Sequence, residues 1–214
     1  LCLEAGVKFF ISSLGDPRLI LDDVHASGGR VFADVINLEQ ALKARERGVD
    51  GLVAVACGAG GHCGEIPTII LVPYLKSKTG LPVIAAGGIS TGAQMAAAMA
   101  IGACAVVVGT RLVATTESRA LTEYKKAVVQ AGPEDIVCTD RITGNRATWI
   151  AKSIESFDRQ PHVRSKRWRE FWSAGQSVAQ VDEIKSAAEV IREMVQNYHE
   201  ACKRLVSSID PGKA

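Results

Sequence analysis

Segments with the apolar character of β-strands alternate with amphipathic helical segments from residue 7 to residue 131. Successive β-segments begin roughly 20 to 30 residues apart, which leaves room for one helix between each pair. The sequence predicts strands at 7–12, 31–36, 51–56, 82–86 and 104–109, and helices at 18–26, 38–47, 68–78, 91–101 and 117–131. This alternation indicates parallel βα units with right-handed crossovers, and therefore an α/β fold.

Glycine-rich turns follow the last three predicted strands, at 60–61, 87–88 and 109. A doubly wound dinucleotide-binding sheet carries G-x-G-x-x-G after its first strand, and none of these strand ends matches that pattern. In TIM barrels a phosphate commonly binds to the loops after strands seven and eight. The sequence therefore favours a TIM (β/α)8-type barrel in which 87–88 and 109 follow strands seven and eight.

This numbering makes the first predicted strand the fourth of eight. We expect residues 1–150 to form an incomplete barrel with strands four to eight, and the chain, which begins with Leu1, to be a fragment of a longer open reading frame. Such a sheet would have two open edges, and apolar side chains of its inner face would be partly uncovered. Four of them are Val53, Val55, Ile84 and Val107.

Residues 151–214 depart from the repeating units, and we expect them to form a C-terminal extension. A helix is predicted from residue 180 to residue 207, with one apolar stripe packed against the barrel and a homodimer contact as the lesser alternative. The stripe consists of Val181, Ile184, Ala188, Ile191, Val195 and Tyr198. Upstream of it, residues 159–172 mix arginine and lysine with Trp168, Phe171 and Trp172; nucleic-acid binding is one interpretation, but we expect aromatic anchors with solvated charges.

Composition limits the possible partners. The net charge of +2 gives no general attraction to nucleic acid or acidic membranes, so the expected partners are small molecules. No apolar run approaches the roughly 20 residues of a membrane span, and the first residues do not resemble a secretory signal, so a cytoplasmic location is expected. The six cysteines form no C-x-x-C pair, and Cys57, His62 and Cys63 lack a fourth zinc ligand; neither disulfides nor a metal is expected.

His62 is the candidate catalytic residue. It follows the strand predicted at 51–56, and Gly60 and Gly61 allow the preceding chain to turn and to pass close to a flat ligand. Removing a proton from carbon beside a nitro or carbonyl group needs a base with a pKa near the working pH, and imidazole meets this requirement. The alternative is a loop histidine hydrogen-bonded to backbone. His25, His162 and His199 lie in segments that we expect to be solvated.

The turns at 87–88 and 109–110 are the candidate phosphate site. Two neighbouring turns that expose N–H groups can enclose a phosphate dianion, and we assign Gly87, Gly88, Gly109 and Thr110 to this role. An ordinary turn, with Ser90 or Thr91 as the N-cap of the next helix, is the alternative for the first pair. Arg111 either neutralises the phosphate or forms a surface ion pair.

Several motifs together resemble the nitronate monooxygenase family, formerly called 2-nitropropane dioxygenases, over residues 5–180. They are Gly-Ala-Gly-Gly-His at 58–62, Ile-Ala-Ala-Gly-Gly-Ile at 84–89, Gly-Thr-Arg at 109–111, Ile-Thr-Gly-Asn-Arg-Ala at 142–147 and Trp-Ser-Ala-Gly-Gln at 172–176. The resemblance implies an FMN-binding TIM barrel that oxidises nitronates with molecular oxygen. It implies that His62 is the catalytic histidine and that Gly60 and Gly61 approach the flavin.

The same resemblance places Gly87, Gly88, Gly109 and Thr110 at the FMN phosphate, and it brings residues 172–176 back to the cofactor, with Gln176 as a polar contact. Two positions depart from the family pattern. Gly58 stands where many members carry an acidic residue, which removes a possible polar partner of flavin or substrate, and Thr148 stands where many carry asparagine.

The sequence thus favours an FMN-dependent enzyme that oxidises small alkyl nitronates, with His62 as general base. An enoyl-carrier-protein reductase that uses FMN and NADH is one alternative, because it would share the Gly-Gly-His loop. A truncated, catalytically silent flavin-binding protein is the other.

Overall fold

The computed structural model describes residues 1–159 and 171–209, so Trp168 and His162 of the basic and aromatic segment lie outside the described residues. In chain order the strands are β1 (Phe9–Ser12), β2 (Arg30–Val35), β3 (Gly51–Val55), β4 (Gly61–His62), β5 (Val83–Ala86), β6 (Ala105–Val107), β7 (Ile136–Thr139) and β8 (Ala147–Ile150). The α-helices are α1 (Arg18–Ala26), α2 (Leu38–Glu46), α3 (Thr68–Thr79), α4 (Gly92–Ala100), α5 (Thr110–Val113), α6 (Thr122–Gln130), α7 (Ala151–Arg159) and α8 (Ala187–Ile209).

The chain divides into two compact units. The first contains residues 1–57, 64–86 and 98–106, and the second contains 58–63, 87–97 and the described residues from 107 onward. The boundary between barrel and extension that the sequence suggests after residue 150 stays a prediction.

The five-stranded sheet has the order β1-β2-β3-β5-β6, and the pairings from β1 to β5 are parallel. Each strand lies beside its successor in the chain, apart from β4, which belongs to another sheet. A doubly wound sheet reverses its strand order at a switch point, whereas a barrel keeps the order of the chain. The prediction of an α/β fold of the TIM-barrel type is therefore confirmed.

Apolar side chains cover both faces of the parallel strands in the first unit. Phe32, Val53, Ile84 and Ala86 cluster on one face, while Val31 packs with the α1 residues Leu21 and Val24. The expected exposure of the inner face was therefore wrong for Val53 and Ile84, which are 2% and 6% exposed. Phe32 belongs to the same cluster as Val53 and Ile84, and its ring fills the space beside its partner Gly51, where a Cβ would lie 2.2 Å from the ring. Val55 is partly exposed and Val107 is exposed.

The second unit contains a three-stranded antiparallel sheet that the sequence did not predict, with the order β4-β8-β7. Gly61 pairs with Thr148 and His62 with Ala147, while Cys138 of β7 pairs with Thr148 from the other side. The predicted helix at 117–131 begins only at Thr122, and the short helix α5 directly follows Gly109.

The long helix α8 packs within the second unit, but the predicted apolar stripe was largely wrong, since Val181 is buried whereas Ile184 and Ala188 are exposed. Val190 and Ala201 are buried, whereas Ile191 and Val195 are 55% and 49% exposed. Val181 and Ile184 precede the helix. The first residue of α4 lies against α8, because a Cβ on Gly92 would be 2.0 Å from the Met194 carbonyl oxygen. None of the described helices is long and apolar enough to cross a membrane.

Candidate active site

Thr148 forms hydrogen bonds through its side chain with the loop that leads to His62. Its side chain is buried, at 3% exposure, and its hydroxyl lies 2.6 Å from the Ala59 carbonyl oxygen, to which it donates, and 3.3 Å from that of Gly61. Gly61 has φ +79°, a left-handed conformation that glycine adopts without strain. The His62 loop, residues 58–62, is thus held to β8 by a side chain as well as by the β4–β8 pairing.

The His62 ring is partly buried and contacts a hydroxyl. Its Nε2 lies 3.3 Å from Oγ1 of Thr143, in the connection between β7 and β8, and the Thr143 hydroxyl donates to the Asn145 carbonyl oxygen at 3.0 Å. The neighbouring Cys63 is buried and lies 3.9 Å from Cys138, measured between sulfur atoms. Among the residues that the structure describes, no three histidine, cysteine or acidic side chains form a group that could hold a metal.

The glycine turns predicted to form one site meet at the His62 loop. The Gly88 amide donates to the Gly58 carbonyl oxygen at 3.1 Å. A Cβ on Gly60 would lie 2.9 Å from the Gly175 nitrogen and 3.1 Å from Oγ1 of Thr110. Residues 58–60 therefore contact the turn at 87–88, the start of α5 and the segment around Gly175, within one unit of the protein.

Gly58, which stands where many members of the family carry an acidic residue, is also closely packed. A Cβ there would lie 3.1 Å from the Gly88 nitrogen, and Gly175 approaches so closely that a Cβ on it would be 2.3 Å from the Gly58 carbonyl oxygen. A larger residue at position 58 would require the turn at 87–88 to move. Glycine at this position is therefore matched to the local packing.

The two candidate phosphate turns differ in the groups that they offer. The Gly88 amide is already bonded, but apart from adjacent residues no atom of the described residues lies within 4 Å of the Cβ position of either Gly88 or Gly109. The backbone N–H groups of Gly109, Thr110 and Arg111 have no acceptor in the described part of the chain. Bare backbone and unused N–H groups suit a phosphate dianion, so the residues present fit this group.

The α4 N-terminus is occupied by its own residues. The Gln94 side-chain oxygen accepts from the Ser90 and Thr91 amides at 2.8 and 3.0 Å, and the Gln94 amide donates to Thr91 Oγ1 at 3.3 Å. This reciprocal arrangement is a capping box. The alternative that Thr91 acts as an N-cap is therefore confirmed, and the amides of Ser90 and Thr91 are not open donors.

Arg111 is buried, at 5% exposure, so the surface ion pair considered for it was wrong. Its guanidinium donates to the Glu183 carbonyl oxygen at 3.2 Å, and it lines a polar cavity of about 290 Å³ together with Ser90, Thr91 and Lys185. Thr110 is buried as well, and its Oγ1 accepts from the Gly175 amide at 3.0 Å. Both side chains thus tie later parts of the chain to the turn after Gly109.

Aromatic packing holds the segment that leads to Gly175. The rings of Trp172 and Tyr124 are stacked with centroids 5.6 Å apart, and the Tyr124 hydroxyl donates to the Ser173 carbonyl oxygen. Burial raises the pKa of Tyr124, so this hydroxyl stays protonated and donating. The Ile150 amide donates to the Trp172 carbonyl oxygen at 2.9 Å. Gln176, the predicted polar contact, is exposed.

Sequence reasoning missed the contacts of three residues of this site. The resemblance brought residues 172–176 back to the cofactor, but no pattern indicated the contact of Gly175 with Gly60 or that of Thr143 with His62. Thr148 was noted only as a departure from the family pattern. The hydrogen bond between Thr148 and Ala59 joins residues 89 positions apart, and no local pattern reports such a pairing.

Comparisons with known proteins identify the family and the fold of this chain. The family model described as nitronate monooxygenase matches residues 1–170. A nitronate monooxygenase from Paraburkholderia phytofirmans is 34% identical over 151 residues, which cover 66% of this chain and 41% of that protein. FabK from Thermotoga maritima has a similar structure, with a TM-score of 0.84 and 30% identity over 97% of this chain and 73% of that one.

A nitroalkane oxidase from Streptomyces ansochromogenes shares the fold at 22% identity, with a TM-score of 0.83 over 95% of this chain and 67% of that one. The chain spans between 40% and 59% of the length of the curated relatives that it matches. The family match covers residues 1–170, well over half of the chain. The chain belongs to the nitronate monooxygenase family.

Proposed function

We propose that this chain belongs to a flavin-dependent enzyme that oxidises alkyl nitronates with molecular oxygen, and that His62 is its general base. One observation supports this proposal above the others. The loop that presents His62 contacts the turn at 87–88, the start of α5 and the segment around Gly175. This convergence places an imidazole and open backbone N–H groups in one compact unit. Family membership supports the same reaction class.

FMN is the cofactor proposed for this site. The N–H groups of Gly109, Thr110 and Arg111 would hold its phosphate, and the bare backbone at Gly88 would allow a close approach. Gly60 and Gly61 would lie near the flavin ring. Bound FMN supplies the redox chemistry, since it accepts two electrons from the substrate and returns them to oxygen.

The protein residues have two tasks in this proposal. His62 takes the proton from the carbon that bears the nitro group of a neutral nitroalkane; the electrons of that C–H bond form the C=N bond of the nitronate, and the proton stays on the ring. Thr148, Thr110 and Gly175 hold the loop in place, so that the ring does not have to be ordered during the reaction.

The test uses purified chain supplied with FMN, with two assays run in parallel. Oxygen uptake is measured with 2-nitropropane and with its preformed nitronate, and NADH oxidation is measured with an enoyl thioester. Oxygen uptake that depends on nitronate supports the proposal. NADH oxidation that depends on the enoyl thioester would instead establish the reductase alternative, and bound flavin with neither reaction would establish a silent flavin-binding protein.

A further inference from the structure

The polar cavity beside Arg111 is lined by the start of α5, the segment before α8 and the first half of α8, all within the second unit. Its volume of about 290 Å³ is at the small end of the range for ligand pockets, roughly 300–1,000 Å³. Its floor is buried and consists of Ser90, Arg111 and Val190, whereas Asp182, Glu193 and Asn197 form an exposed rim. A cavity of this size suits a molecule of only a few non-hydrogen atoms.

Arg111 carries a charge that no carboxylate balances within the described part of the chain. The residue is only 5% exposed, and its guanidinium donates to the Glu183 carbonyl oxygen at 3.2 Å but to no other described acceptor. A guanidinium presents several N–H donors in a planar fork, so most of them remain available. Because a buried charge without a counter-charge is costly, buried arginines are normally paired. The cavity therefore offers a buried cation with spare donors.

The other groups of the cavity that could attract an anion are already bonded within the protein. The Ser90 hydroxyl donates to the Ser177 carbonyl oxygen at 3.0 Å. The Lys185 ammonium lies 2.8 Å from a Glu183 carboxylate oxygen and 2.6 Å from one of Glu193, and these carboxylates raise the pKa of Lys185. The charge of Lys185 is thus balanced, and Arg111 is the cation that remains for a ligand.

We propose that this cavity binds a small monocarboxylate, which pairs with the Arg111 guanidinium. The two oxygens of a carboxylate match two parallel N–H groups of the fork. Asp182 and Glu193 at the rim repel a second negative charge, so a monoanion fits better than a phosphate dianion. Val190 and Met194 also line the cavity and offer contacts to a short aliphatic part of the ligand.

This site differs from the proposed FMN phosphate site in the group of Arg111 that it uses. The ligand would bind the Arg111 side chain, whereas the FMN phosphate would bind the backbone N–H groups of residues 109–111. The inference therefore does not depend on FMN or on the oxidation of nitronates.

The first test is a calorimetric titration of the chain at constant ionic strength, with acetate, acetamide and inorganic phosphate as probes. We expect saturable binding of acetate. Acetamide has nearly the same shape without the charge, and phosphate has a second charge, so both should bind more weakly, acetamide by about tenfold or more. The acetate affinity should be the same with and without FMN, because the two ligands use different groups.

The second test compares three variants. Arg111→Gln, which keeps an amide donor but removes the charge, should weaken acetate binding by about tenfold or more. Asp182→Asn removes a rim carboxylate without disturbing the buried floor, so it should tighten acetate binding by about twofold to threefold, even if Arg111→Gln does not fold. Arg192→Gln is the matched control, since Arg192 is exposed on α8 and does not line the cavity, and it should bind acetate like the wild type.

The outcomes separate this site from the proposed cofactor site. A chain that binds acetate but not FMN would contradict the proposed cofactor and leave the carboxylate site standing. The carboxylate site would be overturned by a lack of saturable acetate binding, by equal affinities for acetate and acetamide, or by an unchanged affinity in Asp182→Asn. Competition between acetate and FMN would overturn it as well, because it would place the acetate at the turn after Gly109.

Discussion

The backbone of Gly175 packs directly against Gly60, so that a Cβ on Gly60 would lie 2.9 Å from the Gly175 nitrogen. These residues are far apart in the chain, and the Gly175 amide is held at the same place by Thr110 Oγ1 at 3.0 Å. The contact fixes the path of the loop that presents His62. A side chain on either residue would clash with backbone atoms of the other segment.

Gly60→Ala tests this contact. The added methyl group should displace the loop or the segment around Gly175, at a cost of roughly 1–3 kcal/mol in the free energy of unfolding, because backbone atoms on the other side cannot rotate away. Thermal unfolding measures the loss. Gly15→Ala is the control, since its nearest neighbour is a carbonyl oxygen 3.8 Å from the Cβ position, and it should unfold at nearly the wild-type temperature. Equal unfolding temperatures for the two variants would contradict the close packing.

His62→Asn tests the proposed base. It keeps approximate size and hydrogen bonding, but it should lower turnover of a neutral nitroalkane by roughly two to four orders of magnitude while FMN binding persists. The preformed nitronate should be less affected, because its proton has already left. Oxygen uptake with each substrate measures the difference. His199→Asn, on the exposed surface of α8, should keep the wild-type rate, and an unchanged neutral nitroalkane rate in His62→Asn would rule out the base.

Gly88→Val tests the proposed phosphate site. Gly88 has φ +73° with open space at its Cβ position, so valine would strain the backbone by roughly 1–3 kcal/mol and would fill the space over the turn. Gly28→Val is a matched control, since Gly28 has φ +75° and equally open space in the first unit. Both variants should lose similar stability, but only Gly88→Val should weaken FMN binding, by about tenfold or more, in a fluorescence titration. Equal affinity in both variants would place the phosphate elsewhere.

Two aspartates of the first unit should respond to pH in opposite directions. Burial raises the pKa of Asp34 above 3.8, although a hydrogen bond with Ser13 opposes the shift. Its contribution to stability is therefore present below the unfolded pKa and is lost as pH rises through the folded pKa. Asp34→Asn should raise the unfolding temperature at pH 7.

Asp50 behaves in the opposite way. Burial would raise its pKa, but the Val31 amide, Arg30 and His25, each within 2.8 Å of the carboxylate, lower it to about 2. Its contribution is present above the unfolded pKa of 3.8 and is lost as pH falls towards 2. Asp50→Asn should lower the unfolding temperature at pH 7 and have little effect near pH 2. The same sign of change for both variants at pH 7 would contradict the assignment.

The α/β class and the succession of βα units could be predicted from sequence because each element leaves a local periodic signal. The glycine pairs at 60–61 and 87–88 were likewise visible as turns, and the motifs around them identified the family. The face of α8 was not predictable in the same way. Val190 and Ile191 are neighbouring apolar residues, and only packing against the rest of the second unit buries the first and exposes the second.

By itself, the sequence determined the order of the βα units, the glycine turns and His62 as the candidate base, because these depend on residues within a few positions of one another. Tertiary structure decided what surrounds His62. Strand β4 has two residues, too few for any period, and it exists only because β8 pairs with it. Thr148, Thr143 and Gly175 reach the His62 loop from more than 80 positions away, and the free energy of such contacts depends on the whole chain having folded.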